Sequence, residues 1–191
     1  PRGVGEAAKR AIDNERLGYT VALGIDPLRE AIAHHYLDFY GLTVPPERIV
    51  VTTGSSGGFL LSFLACFDPG DRVALAEPGY PCYRNILEAL GREAVALPVD
   101  HDTRFQPTVA MLEALDAPID GLILASPSNP TGTMVSPAEL EAVAGHCRRS
   151  GIRLISDEIY HGISYGMEAA TAAAIDSNTV VINSFSKYFS M

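Results

Sequence analysis

The chain has 191 residues, 47% hydrophobic and 19% charged, which is apolar material for the core of one domain or slightly more. Its formal net charge of -9 and pI near 4.9 argue against a nucleic-acid partner, because gripping phosphate over a surface needs clustered Lys and Arg. No run of about eighteen apolar residues is present to span a membrane, and the opening PRGVGEAAKR is unlike a signal peptide, so a cytoplasmic protein is expected.

Short β-branched runs alternate with helical stretches, the rhythm of an α/β fold with a mostly parallel sheet flanked by helices. Asp26 and Pro27 predict a helix start, Leu28, Ile32, Tyr36 and Phe39 repeat at helical spacing, and Gly41 predicts the stop. On that helix one of His34 and His35 is expected to pack and the other to meet solvent; no third ligand has metal-like spacing, so no metal is expected. Ile49 to Thr53 reads as the first strand. After it, Thr53-Gly54-Ser55-Ser56-Gly57-Gly58 forms a small-residue turn into the apolar helix beginning Phe59-Leu60-Leu61. Free N–H groups, the helix dipole and two hydroxyls there suit an anion, although a tight turn needing glycine explains the pattern about as well. The turn has neither G-K-[ST] nor G-x-G-x-x-G, which weighs against a nucleotide-binding Rossmann-like protein.

Further strands are predicted at Arg72 to Ala76, Glu93 to Val99, Gly121 to Ser126, Ile152 to Asp157 and Thr179 to Asn183, several of them continuously apolar as in a doubly covered sheet. Ser136, Pro137 and Glu139 form a capping box opening a helix with Leu140, Val143, Ala144 and Cys147 on one face and Gly151 at its exit. Cys66, Cys82 and Cys147 are odd in number without a C-x-x-C pair, and are expected as buried free thiols. The polar segments TTGSSGGF, EPGYP, SPSNPTG, SDEIYHG and NSFSKYFS each follow a predicted strand, and ligands gather at the carboxyl edge of a parallel sheet. In NSFSKYFS, Lys187 among Phe185, Tyr188 and Phe189 is expected to be partly desolvated and hence nucleophilic, the alternative being a lysine that snorkels from a strand end. In SDEIYHG, Asp157 ends a buried strand and suits a cationic partner such as a protonated pyridine; alone it could equally be a capping acid with Glu158 solvated beside it. His101, His146 and His161 read as surface or packing positions.

Taken in order, YTVALGIDPLREAI (19 to 32), VTTGSSGGFL (51 to 60), EPGYPCY (77 to 83), SPSNPTG (126 to 132), SDEIYHG (156 to 162) and NSFSKYFSM (183 to 191) resemble the fold-type I pyridoxal-phosphate (PLP) enzymes, in particular the class I/II aminotransferases of the aspartate aminotransferase superfamily. The resemblance covers nearly the whole chain. It implies PLP as cofactor, amino acid and 2-oxo acid as substrates, and transfer of an amino group between them. By position, Lys187 corresponds to the lysine that forms the internal aldimine and shuttles the proton, Asp157 to the acid facing the pyridine nitrogen, and Asn129 and Tyr160 to the pair that binds the ring's 3-oxygen. Tyr80 corresponds to the aromatic stacked on the ring, and Ser55, Ser56, Gly57 and Ser184 to the phosphate contacts. Tyr19 corresponds to a tyrosine reaching the neighbour's phosphate, which implies a homodimer.

The resemblance also implies a division into residues 1–25, an interdomain and dimer-interface segment, and 26–191, a PLP-binding large domain incomplete at both ends. Two family arginines, one for the phosphate and one for the substrate α-carboxylate, fall beyond Met191, so these residues are expected to be a fragment inactive alone. Competing readings are a PLP-dependent carbon–sulfur β-lyase and a non-enzymatic regulator domain that senses PLP.

Overall fold

Along each central strand the side chains alternate between two apolar layers, which is why these strands read as unbroken hydrophobic runs. The structure, a computed structural model, describes residues 1–15 and 17–191. Strands Arg72–Glu77 (β1), Glu93–Pro98 (β2), Gly121–Ala125 (β3), Arg153–Asp157 (β4) and Val180–Ile182 (β5) form one parallel sheet in the order β2-β1-β3-β4-β5. The helices are Arg2–Asn14 (α1), Asp26–Tyr40 (α2), Gly54–Cys66 (α3), Pro81–Ala89 (α4), Val109–Glu113 (α5) and Pro137–Ser150 (α6).

On one face of the sheet Ala74, Leu122, Leu124 and Leu154 pack with Leu112 of α5 and Leu140, Val143 and Cys147 of α6. On the other, Val73, Leu75, Ile123, Ile155 and Ile182 pack with Phe59 and Phe63 of α3 and Tyr83 and Leu87 of α4. The fold is therefore the expected α/β class, a parallel sheet flanked by helices. Gly121 is required where it stands: a Cβ there would lie 2.3 Å from the ring of Phe67. Burial pushes the Cys147 thiol up to about 12, and all three cysteines are free, with Cys66 and Cys82 only half-buried.

Residues 54–184 form one compact unit, and residues 1–53 with 185–191 another. In the latter, α2 ends at Gly41 in the left-handed region, as expected, while its cap is Ile25; Asp26 lies inside the first turn and pairs with Arg29 at 3.2 Å. His34 is exposed and 3.3 Å from Asp38, whereas His35 packs among the rings of Phe39 and Phe189. Ile49 to Thr53 is not a strand. The Val51 N–H donates to Leu23 O at 3.0 Å, and the Val51 side chain stands 2.8 Å or less from where a Cβ on Gly24 (φ +98) would be. Val51 thus covers the turn at Gly24, and the segment joins no ladder.

Candidate functional site

From β1 the chain steps outward to β2, then returns across β1 to place β3 on its other side, so the connections diverge between β1 and β3. Ligands of open parallel sheets bind outside the carboxyl ends at such a point. The loop leaving β1 carries Tyr80, and the loop leaving β3 carries Asn129. The register sets Asp157, the last residue of β4, level with Ala125 of β3 and Ile182 of β5.

Asp157 is 4% exposed, and both of its oxygens are used. The Ile159 N–H donates to Oδ1 at 3.1 Å, and the Tyr83 hydroxyl donates to Oδ2 through a short hydrogen bond. Tyr83 is buried on α4, its ring edge-on to Phe59 at 4.9 Å and to Tyr80 at 5.5 Å. Its phenol is pushed far above the usual tyrosine range, first by burial and then by the Asp157 charge, so it stays a donor. The Tyr80 phenol is also raised, first by the neighbouring Cys82 thiol and then by burial. The sequence does not mark Tyr83 as a site residue, because its partner lies 74 positions away.

The anion turn is the amino end of α3, with Ser55 and Gly57 half-buried and Ser56 exposed. Ser56 Oγ lies 3.9 Å from Cys82 Sγ, which puts this turn beside the start of α4. Asn129 is half-buried in a loop fastened by buried Gln106, whose amide donates to Ala125 O at 3.2 Å and to Thr133 O at 2.9 Å. Tyr160 is half-buried and packs on the layer shared by α3 and α4. The Ser184 N–H donates to Asn183 Oδ1 at 2.7 Å.

Lys187 and Tyr19 belong to the other unit, and both are exposed. Around Lys187, Phe189 meets His35 at 5.5 Å, and Tyr188 faces Phe39 at 6.4 Å and Phe189 at 5.0 Å. One reading is corrected: Glu158 is 1% exposed, not solvated. His161 is a buried packing position, as expected, and its ring Nε2 lies 2.9 Å from Ser126 O. Burial raises the Glu158 carboxyl and lowers the His161 imidazole.

The profile of the family described as aminotransferase class I and II matches residues 1–191. The chain belongs to this family. It is 57% identical over 193 residues to the valine–pyruvate aminotransferase of Mycobacterium tuberculosis, covering 100% of this chain and 50% of that protein. An aspartate aminotransferase of Pyrococcus horikoshii is 30% identical, over 100% of this chain and 50% of its own. Among solved structures, an aminotransferase from M. tuberculosis superimposes with a TM-score of 0.98 at 57% identity, over 100% of this chain and 50% of that one. A Thermus thermophilus aspartate aminotransferase variant gives 0.94 at 32% identity, over 100% and 53%. This class I and II aminotransferase chain therefore spans about half the length of the curated relatives it matches.

Proposed function

We propose that the full-length protein is a PLP-dependent aminotransferase, working as a homodimer, that moves an amino group between an amino acid and a 2-oxo acid. The observation that carries this reading is Asp157: a buried carboxylate at a strand's carboxyl end, held on both oxygens by the Tyr83 hydroxyl and the Ile159 N–H, in a chain of this family. That donor set fits PLP, with an anion for the ring N–H, an amide and phenol for the ring oxygen, and hydroxyls at a helix amino end for the phosphate. When bound, PLP supplies an electron sink for the pair left behind as an amino acid loses its α-proton.

The chain's residues do the rest. With PLP bound, Asp157 would keep a proton on the pyridine nitrogen, Asn129 and Tyr160 would donate to the ring oxygen, and Tyr80 would cover one ring face. Ser55, Ser56, Gly57 and Ser184 would orient the phosphate, and Tyr19 would reach the phosphate of the second copy. Lys187 would contribute the primary amine that holds the cofactor covalently, and the same amine would carry the proton.

Because the relative from M. tuberculosis is named a valine–pyruvate aminotransferase, valine with pyruvate is the first pair to assay. Full-length protein with PLP should form alanine and the oxo acid of valine together; pyruvate generated from a single amino acid with ammonia or sulfide would instead mean a lyase. Borohydride reduction and peptide mapping should place the pyridoxyl group on Lys187, and a label at any other lysine rejects the assignment.

A further inference from the structure

Immediately after Asp157 the chain buries a second acid. Glu158 Oε1 accepts from the Ser156 hydroxyl at 2.9 Å and from the Ala172 N–H at 2.8 Å. Oε2 is fully buried and makes no hydrogen bond among the described residues; His161 Nδ1 stands 3.6 Å from it, and the Thr171 side chain also neighbours this carboxyl. A bare carboxylate oxygen left this way costs its full desolvation, so an ionised Glu158 is the expensive state. The His161 ring settles where a proton can go. Its Nε2 faces the Ser126 carbonyl at 2.9 Å, and a carbonyl only accepts, so Nε2 carries the hydrogen. In the neutral ring Nδ1 is then the lone-pair nitrogen, and it faces Oε2.

We propose that Glu158 and His161 are a neutral pair sharing one proton, with Glu158 as the un-ionised acid donating toward Nδ1, and that this pair positions the loops carrying Asn129, Asp157 and Tyr160. The competing arrangement moves the same proton to Nδ1 and leaves an imidazolium and a carboxylate whose side chains are 3% and 1% exposed. Burial opposes both of those charges at once, and the directions found, acid up and imidazole down, agree with the neutral form. A neutral Glu158 also adds no second charge next to the Asp157 carboxylate. The fastening is direct. His161 holds the Ser126 carbonyl, the Ser126 N–H donates to Asp157 O at 3.1 Å, the Ser126 hydroxyl accepts from the Val135 N–H at 3.1 Å, and Glu158 reaches across to Ala172. One buried pair thus ties the end of β3, the end of β4 and the segment before β5.

The functional part of this inference rests on the PLP reading, and the experiment separates the two. In full-length protein without cofactor, infrared spectra should show a protonated-carboxyl C=O band that Glu158→Gln removes. Nitrogen-15 NMR, assigned by the His161→Phe difference, should show the ring protonated at Nε2 alone. Glutamine can put an amide N–H where the acid O–H would be. Glu158→Gln should therefore keep PLP affinity within about threefold, while Glu158→Leu and His161→Phe weaken it by about tenfold or more, the scale of a buried hydrogen bond lost. A doubly protonated ring in the unaltered protein, or Glu158→Gln as damaging as Glu158→Leu, overturns the pair. Should Glu158→Leu not fold, the infrared band, the ring tautomer and the behaviour of Glu158→Gln still decide. Absence of PLP binding by the unaltered protein would strike the proposed function, while the cofactor-free spectra would still decide the proton's place.

Discussion

The Asp157 carboxyl is held by geometry its own sequence neighbourhood only half supplies. The Ile159 N–H comes from the turn that follows β4, but the Tyr83 hydroxyl comes from α4. Tyr83→Phe keeps the ring against Phe59 and Tyr80 and deletes the donor, leaving a buried carboxylate oxygen short of a partner at a cost of about 1–3 kcal/mol. In full-length protein this variant should bind PLP about tenfold more weakly and melt lower, as read by titration of cofactor absorbance and by calorimetry; unchanged affinity would remove Tyr83 from its role. Asp157→Asn should act on turnover, lowering kcat by about a hundredfold or more, since a neutral amide does not keep the ring nitrogen protonated. At this scale the sequence showed the acid, because DEIY follows an apolar run, but neither its donor nor the burial of Glu158 and His161. Those depend on where the turn after β4 folds relative to Ser126 and Ala172, which no local pattern encodes.

The elements whose ends carry side-chain chemistry were the most legible. Ser136 accepts from the Glu139 N–H at 3.3 Å and Glu139 Oε2 accepts from the Ser136 N–H at 2.7 Å, the reciprocal box the sequence predicts, and Gly151 closes α6 at φ +72. Ser136→Ala should cost about 1 kcal/mol, seen as a lower denaturation midpoint with unchanged slope. Glu139 also pairs with Arg104, and that guanidinium, ahead of the cap N–H, lowers its carboxyl to about 2. A depressed folded value means the contribution is present above the ordinary glutamate range and is lost as pH falls toward about 2. Glu139→Gln should therefore be less stable than the parent at neutral pH, the gap closing on acidification, though half-exposure and salt keep it small. The misread element was 49–53. Its β-branched run satisfies a strand pattern, but the segment is held by the Val51 N–H to Leu23 O, the Ile49 N–H to Pro46 O, the Arg29 guanidinium to Ile49 O and the packing of Val51 against Gly24. Helix α4 went unanticipated because its start, Pro81 after Tyr80, sits inside a segment read as a ligand loop.

For the molecule as a whole, the telling surface is the side of α3 turned away from Phe59 and Phe63. Leu60, Leu61 and Leu64 are 41%, 53% and 51% exposed there, a contiguous apolar face on a helix whose other side is core. Apolar faces of this kind mark surfaces that another part of the protein or a second copy covers. The relatives are about twice as long as this chain, and the resemblance implies one arginine for the phosphate and one for the substrate carboxylate that the motifs in residues 1–191 do not include. A polypeptide of these 191 residues alone is thus expected to self-associate, its mass by light scattering rising with concentration and falling again when Leu61 and Leu64 are both changed to Lys. It is also expected to form no oxo acid from valine and pyruvate, because a phosphate without its cation loses a charge-assisted contact of about 1.5–3 kcal/mol and the substrate carboxylate is left unoriented. Full-length protein assayed beside it should turn over and stay a single species. Steady oxo-acid production by the 191-residue polypeptide, verified intact by mass spectrometry, would mean that residues 1–191 carry phosphate and carboxylate contacts that the family motifs do not reveal.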